Sequence, residues 1–239
     1  MISLIAVAVI ASSTKGTVVM IHGAGGGGWE YDKWRPVFEK AGWTVVAKDL
    51  VPTNNRYEST QFDDYVSQVV SWTPKRGRVF YIGASMGGLL ALKAQERRPA
   101  SGIILVDSVA PLEVAVKRST AHYPSVVRWA NGPLKDSEDA MPDSTRKTIH
   151  WAWTRWRDES GTVMNQITEG LSVARPQCSV LVMLGEADTD VPHATGLALA
   201  KWMGATVKSY PKMSHVGPLM SRRATKVAQF AANWIDKVN

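Results

Sequence analysis

The chain has 239 residues, 45% of them hydrophobic and 21% charged, with 19 glycines and 12 prolines and no low-complexity tract. That length and apolar content suit one large folded domain and exclude a disordered or fibrous chain. Lysine and arginine outnumber aspartate and glutamate 28 to 21, a formal charge of +7. The positive residues are scattered and no nucleic-acid-binding module is present, so the excess reads as a basic surface and not as a polyanion site. A single cysteine, Cys178, excludes an intrachain disulfide and a cysteine-based metal cluster. It adjoins an apolar run and reads as a small core residue. Nothing calls for an oxidising compartment, so the expected location is the cytoplasm.

The first eleven residues, MISLIAVAVIA, are apolar but lack the positive leading segment of an export signal, since the first lysine is Lys15. They are too short to span a bilayer as a helix. The pattern predicts a β-strand turning through Ser12–Gly16, with an atypical export signal as the alternative. Thr17–Ile21 is a second, buried strand. It runs into His22-Gly23-Ala24-Gly25-Gly26-Gly27-Gly28-Trp29, where so many glycines predict a loop whose backbone approaches another group closely.

Trp34, Val37, Phe38 and Ala41 recur at helical spacing and Gly42 ends that helix. Thr44–Ala47 is the next strand, and Asp49 beyond it is expected to bind the turn that follows. Residues 50–60 form a polar loop. Phe62, Tyr65, Val66, Val69 and Val70 mark an amphipathic helix, and Pro74–Arg78 turns into the apolar run Val79–Ile82.

Gly83-Ala84-Ser85-Met86-Gly87 follows, a Gly-x-Ser-x-Gly run between a strand and a helix that ends near Arg98-Pro99. Ser85 then sits at the apex of a sharp turn, exposed to whatever occupies the space above the sheet. Gly102–Val106 is another strand, with Asp107 at its end.

Residues 110–175 carry no strong strand signal. Helical stretches are expected around 113–130 and 145–170, separated by NGPLKDSEDAMPDS. This segment reads as a helical cap inserted into a core made of residues 1–109 and 176–239. Ile149, Trp153 and Trp156 share one helical face, which either lines a substrate pocket or seats the cap on the sheet. Trp29, Trp129 and Val216 complete the candidate pocket residues.

The sheet resumes at Ser179–Leu184 and ends in GEADTDVP (185–192). A helix over 193–203, a strand over Ala205–Tyr210, the loop PKMSHVGP (211–218) and a helix over roughly 221–236 close the chain. The last helix has Ala224, Val227, Ala228, Ala231 and Ile235 on its apolar side. Strands alternating with helices predict an α/β fold: three layers, a mostly parallel sheet covered on both faces, and a small helical cap.

Ser85, Asp188 and His215 come in that order, each on a loop after a strand, where open α/β sheets build their sites. A serine hydroxyl holds its proton too tightly to attack alone. His215 can remove that proton and later hand it to a leaving group, while Asp188 orients the ring and stabilises the imidazolium. Asp107 and Asp190 are rivals for the acid. An oxyanion hole needs two donors; the amide of Met86 is one and that of Ala24 the natural other. The glycine loop does not match a phosphate-binding fingerprint, because it is neither Gly-x-Gly-x-x-Gly nor followed by Gly-Lys-Ser/Thr. The five histidines, at 22, 122, 150, 193 and 215, form no local metal-binding pair. His22 is expected to order its own loop through hydrogen bonds. No metal and no organic cofactor is implied.

With these motifs in place, the chain resembles the α/β-hydrolase superfamily over nearly its whole length. HGAGGGGWEYDKW (22–34) followed by GWTVVAKDL (42–50) is similar to the branch that holds plant methylesterases, hydroxynitrile lyases and many bacterial esterases. GEADTDVP matches the superfamily's Gly-x-x-Asp-x-x-Val-Pro acid loop, and the resemblance therefore assigns the acid to Asp188 and the oxyanion donors to Ala24 and Met86. Three departures sharpen it. Ala84 stands where a histidine is common before the nucleophile. Gly23 and Val216 stand where hydroxynitrile lyases carry a threonine and a lysine, which disfavours cyanohydrin cleavage. A serine at 85 also disfavours dehalogenases and epoxide hydrolases, which attack with an aspartate.

The resemblance implies a serine hydrolase that cleaves a carboxylic ester of a small to medium, partly apolar molecule through an acyl-Ser85 intermediate. The same triad acting on an amide, lactone, thioester or carbon–carbon bond, or in perhydrolysis, is the alternative. A ligand receptor on a hydrolase fold is the reading of another class. Partners are expected to be limited to a small-molecule ester, without nucleic acid or stable membrane insertion, and the chain to be a monomer or homodimer.

Overall fold

The computed structural model describes residues 14–238. The strand expected over 1–11 lies outside the described residues.

The first half of the core runs β1 (Thr17–Ile21), α1 (Arg35–Lys40), β2 (Thr44–Ala47), α2 (Phe62–Trp72), β3 (Val79–Ala84), α3 (Met86–Arg97) and β4 (Gly102–Val106). A long excursion follows, with β5 (Val126–Val127), α4 (Leu134–Ala140), α5 (Arg146–Trp153), β6 (Glu159–Ser160) and α6 (Gly161–Glu169). The chain returns through β7 (Ser179–Gly185), α7 (His193–Met203), β8 (Thr206–Tyr210), α8 (Gly217–Met220) and α9 (Ala224–Ile235).

Six strands form one parallel sheet in the order β2-β1-β3-β4-β7-β8. β2 lies on one side of β1 and β3 on the other, so the strand order reverses at β1. Loops leaving neighbouring strands at such a point diverge to opposite faces and leave a crevice at the carboxyl ends.

Strand side chains alternate between two cores, as period-2 geometry demands. Val19, Ile21 and Tyr81 join α2, α3 and α7 on one face; Val18, Met20, Phe80 and Ile82 join α1, α8 and α9 on the other. All five apolar residues expected on the closing helix are buried there. Burial of each larger member, such as Val227 or Ile235, is worth about 2 kcal/mol. Cys178 is partly buried against the first core. No helix among the described residues is long and apolar enough to cross a membrane.

The excursion between β4 and β7 departs from its predicted pattern. No helix forms over 113–125, and β5 follows at Val126–Val127, paired antiparallel with β6. Two local features oppose a helix there. Pro124 has no amide to give, and the guanidinium of Arg118 is committed to the carbonyls of Ala110 and Pro111. Conversely, α4 lies within the stretch expected to be a separator, starting directly after Pro133. α5 is capped by the Thr145 hydroxyl, which accepts from the Thr148 amide at 3.1 Å, and it ends at Trp153, so Trp156 lies beyond it.

Candidate active site

Ser85 links β3 to α3 with φ 51° and ψ −120°, a conformation L-residues rarely adopt. Its surroundings hold it there. The Ser85 amide donates to the Val106 carbonyl at 2.9 Å, and its own carbonyl accepts from the amides of Gly88 at 3.1 Å and Val109 at 3.3 Å. The turn is tight enough that a Cβ on Gly83 would lie 2.2 Å from the Gly87 carbonyl oxygen, and one on Gly87 2.2 Å from the Ile21 carbonyl oxygen. The glycines of the motif therefore let α3 sit directly on β1 and β3.

The glycine loop after β1 is held from several directions. The Leu50 amide donates to His22 Nε2 at 2.9 Å, which leaves the proton on Nδ1 to be donated to the Gly23 carbonyl at 2.7 Å. Burial, aided by the Arg157 charge, pushes His22 down to about 4, so its ring is neutral at ordinary pH. Three carboxylates accept loop amides: Glu30 from Gly23 at 3.3 Å, Glu159 from Gly25 at 3.1 Å and Asp49 from Gly28 at 2.8 Å. Asp49 thus binds the loop that precedes it in the chain, not the turn that follows. Arg157 adds Nε to the Gly26 carbonyl at 2.7 Å and its own amide to the Gly25 carbonyl at 2.8 Å. Among the described residues the amides of Ala24 and Met86 have no acceptor, and those are the two donors expected of an oxyanion hole.

Asp188 and His215 meet where β7 and β8 end. Asp188 is buried, and its Oδ2 lies 2.7 Å from His215 Nδ1. Its Oδ1 accepts from the amides of Asp190 at 2.8 Å and Val191 at 2.9 Å. A carboxylate with these donors is acceptor-only, so His215 carries its proton on Nδ1 and keeps Nε2 free. Burial alone lowers His215, but the hydrogen bond and charge of Asp188, joined by Asp190 and Asp107, carry it up to about 9.

Asp107 is the nearest competitor for that role. It is 2% exposed, has φ 43°, and its Oδ1 accepts from the Gly185 amide at 2.7 Å. Oxygens of Asp107 and Asp188 and a ring nitrogen of His215 all lie within 4.8 Å of one another. Yet among the described residues Asp107 Oδ2 has no hydrogen-bond partner, and burial followed by the Asp188 charge drives its carboxyl well above the usual carboxylate range. Asp190 is exposed at the rim.

A cavity of about 440 Å³ opens over these loops, with Ala24, Ser85 and His215 on its wall. Val216, Trp129, Trp153 and Trp156 line it as well. The indole N–H groups of Trp153 and Trp156 are occupied by the Gly132 carbonyl at 2.7 Å and the Ser137 hydroxyl at 3.0 Å, which leaves the rings as apolar walls. Ile149 is packed in the second core instead, so the predicted helical face divides between pocket and seam. Trp29 does not line this cavity. It stacks edge-on against Trp151 and Trp156 and borders a neighbouring cavity of about 240 Å³. Among the described residues the Ser85 hydroxyl makes no hydrogen bond, and it shares the cavity with His215 without being linked to it.

Sequence reasoning did not single out Glu30, Asp143, Arg157 or Glu159. They are polar residues without a local motif, and their partners are distant in the chain, with the exception of Glu30. Glu30 lies only seven residues from Gly23, but Asp32 and Lys33 share its stretch, so its charge alone did not mark it out.

Residues 18–230 match the alpha/beta hydrolase family, and the chain belongs to it. Norfluorocurarine synthase 1 from Strychnos is 29% identical over 145 residues, 56% of this chain and 54% of that one. Phospholipase YtpA from Bacillus subtilis is 33% identical over 117 residues, 43% of this chain and 44% of its own. The chain thus spans about half the length of the curated relatives it matches. Among solved structures, tomato methylketone synthase I complexed with beta-ketoheptanoate superposes with a TM-score of 0.75 at 15% identity, covering 95% of this chain and 99% of that one. At that identity the likeness is one of fold.

Proposed function

We propose that the protein is a serine hydrolase of carboxylic esters, with Ser85 as nucleophile, His215 as general base and acid, and Asp188 as the residue that orients and stabilises the imidazolium. One observation carries this reading: a serine held in a strained turn shares a cavity wall with an imidazole bonded at 2.7 Å to a buried carboxylate. His215 Nε2 takes the Ser85 proton as the hydroxyl attacks the ester carbonyl. The tetrahedral oxyanion is received by the amides of Ala24 and Met86, each donor worth roughly 3 kcal/mol in the transition state. His215 then protonates the leaving alcohol, and water, activated by the same ring, releases the acid from acyl-Ser85. The Ser85–His215 contact closes when substrate fills the cavity, as is common for sites seen without substrate.

Residues 110–175 act as a helical cap over a core of residues 1–109 and 176–239. The tryptophans at 129, 153 and 156 and Val216 give the pocket its apolar lining, which suits a small to medium, partly apolar acyl or alcohol group. The names of relatives support ester chemistry to the extent that one is a phospholipase. We further propose a cytoplasmic enzyme, monomeric or homodimeric, that needs no cofactor.

The test is a panel of short-acyl p-nitrophenyl esters, an amide, a lactone and a β-diketone, run on wild type and Ser85→Ala. Ester turnover by wild type and its loss by about 10⁶-fold in a folded Ser85→Ala protein is the expected result. Unchanged turnover in that variant overturns the mechanism. Turnover confined to the β-diketone moves the same triad to carbon–carbon cleavage.

A further inference from the structure

Glu30 is a buried carboxyl that the reaction above does not use. It is 5% exposed, yet it lines both the large cavity and the neighbouring smaller one, forming part of the partition between them. Gly26 admits it: a Cβ there would lie 1.8 Å from Glu30 Oε1. Its Oε2 accepts the Gly23 amide at 3.3 Å. Gly23 in turn faces the nucleophile, since a Cβ on it would lie 3.3 Å from Ser85 Cβ. The carboxyl therefore grips the peptide unit next to Ala24, the loop donor of the oxyanion hole.

We infer that Glu30 is a positioning residue of the oxyanion loop, and that its charge, once formed, holds the proton on His215. The inference rests on the serine-hydrolase reading. Its first half follows from geometry: the Gly23 amide is turned toward Glu30, which leaves the next amide, that of Ala24, free for the oxyanion. Its second half follows from placement, because a negative charge on the same cavity wall as His215 favours the imidazolium over the neutral base.

The groups around Glu30 set when that charge forms. Arg157 and His215 favour it and Asp49 opposes it, while burial, the largest influence, lifts the carboxyl to about 7. Asp32, Lys33 and Lys147 face it across the smaller cavity, and Lys33 is engaged with the carbonyls of Met220 at 2.6 Å and Ser221 at 3.0 Å. Arg128, Asp136 and Asp190 stand elsewhere on the wall of the larger cavity.

Glu30→Gln keeps an acceptor for the Gly23 amide and removes the charge; Glu30→Ala removes both. The measurement is kcat and KM from pH 5 to 10 on a p-nitrophenyl ester turned over by wild type. Glu30→Gln is expected to move the acidic limb of kcat/KM down by roughly half a pH unit or more. Glu30→Ala is expected to lower kcat by about tenfold or more with KM little changed. An acidic limb left in place by Glu30→Gln, or a wild-type kcat in Glu30→Ala, overturns the inference. Should Glu30→Ala fail to fold, the near-isosteric Glu30→Gln decides it alone. Ser85→Ala run alongside separates the two levels: if it is inactive while both Glu30 variants behave as wild type, the hydrolase reading stands and only the role of Glu30 falls.

Discussion

Asp143 takes both polar hydrogens of Ser214, the residue next to His215: its Oδ1 accepts from the hydroxyl at 2.7 Å and its Oδ2 from the amide at 3.2 Å. Asp143 belongs to the excursion between β4 and β7, and its neighbour Ser144 donates to the Met220 carbonyl at 3.2 Å. The excursion thus grips the histidine loop from one side, while Arg157 and Glu159 grip the glycine loop from the other. Asp143→Ala leaves the buried Ser214 groups unpaired, at a cost of about 1–3 kcal/mol in stability. It also frees the His215 turn, and kcat is expected to fall roughly tenfold. Urea unfolding and steady-state kinetics on the variant measure both; unchanged values in each would remove Asp143 from the account.

The two buried aspartates beside His215 are separable by paired substitutions. Asp188→Asn exchanges the acceptor of the Nδ1 proton for a group that favours the wrong tautomer, and kcat is expected to drop about 10⁴-fold. Asp107→Asn keeps an oxygen for the Gly185 amide and leaves the Asp188–His215 hydrogen bond in place. Its effect on kcat is expected to be small beside that of Asp188→Asn. Equal losses would show that the acid function is shared.

The reaction needs the neutral ring of His215, and that ring is lifted to about 9. Activity is therefore expected to climb with pH and reach half of its plateau at about 9, read as kcat/KM across the range. Stability runs the opposite way. A histidine raised above its ordinary 6.5 stabilises the fold fully below that pH and loses the contribution as pH passes through about 9. Thermal unfolding should show a falling Tm over that window, and His215→Asn should flatten the part of the slope that belongs to the ring.

Gly87→Ala is expected to damage the elbow. The added methyl would meet the carbonyl oxygens of Ile21 at 2.2 Å and His22 at 2.6 Å, both backbone atoms that cannot swing aside. Overpacking of this kind costs about 1–3 kcal/mol, and it pushes Ser85 away from the glycine loop, so Tm and ester turnover fall together. Gly77→Ala is the control: no atom of the described residues lies within 4 Å of its added methyl, and the φ of +94° is what opposes it. A Gly87→Ala protein as stable and active as the Gly77→Ala one would refute this packing.

How far the chain could be read from its sequence follows from the range of each interaction. The strands Thr17–Ile21, Thr44–Ala47 and Gly102–Val106, the helix His193–Met203 and the turn at Ser85 were legible because apolar period, glycine placement and strand-to-helix turns act between neighbours a few residues apart. The same locality misled at 113–130, where Arg118 and the pairing of Val126–Val127 with Glu159–Ser160 outweighed helical spacing.

Sequence by itself therefore determined an alternating α/β chain with a serine, an aspartate and a histidine on successive loops, since each signal is local. Only the tertiary structure decided that Asp107 is buried beside the Asp188–His215 pair, that Trp29 borders the smaller cavity, and that Asp143, Arg157 and Glu159 clamp loops 71 to 134 residues distant. Those contacts depend on sheet order and on where the excursion folds back, and no spacing within one segment encodes either.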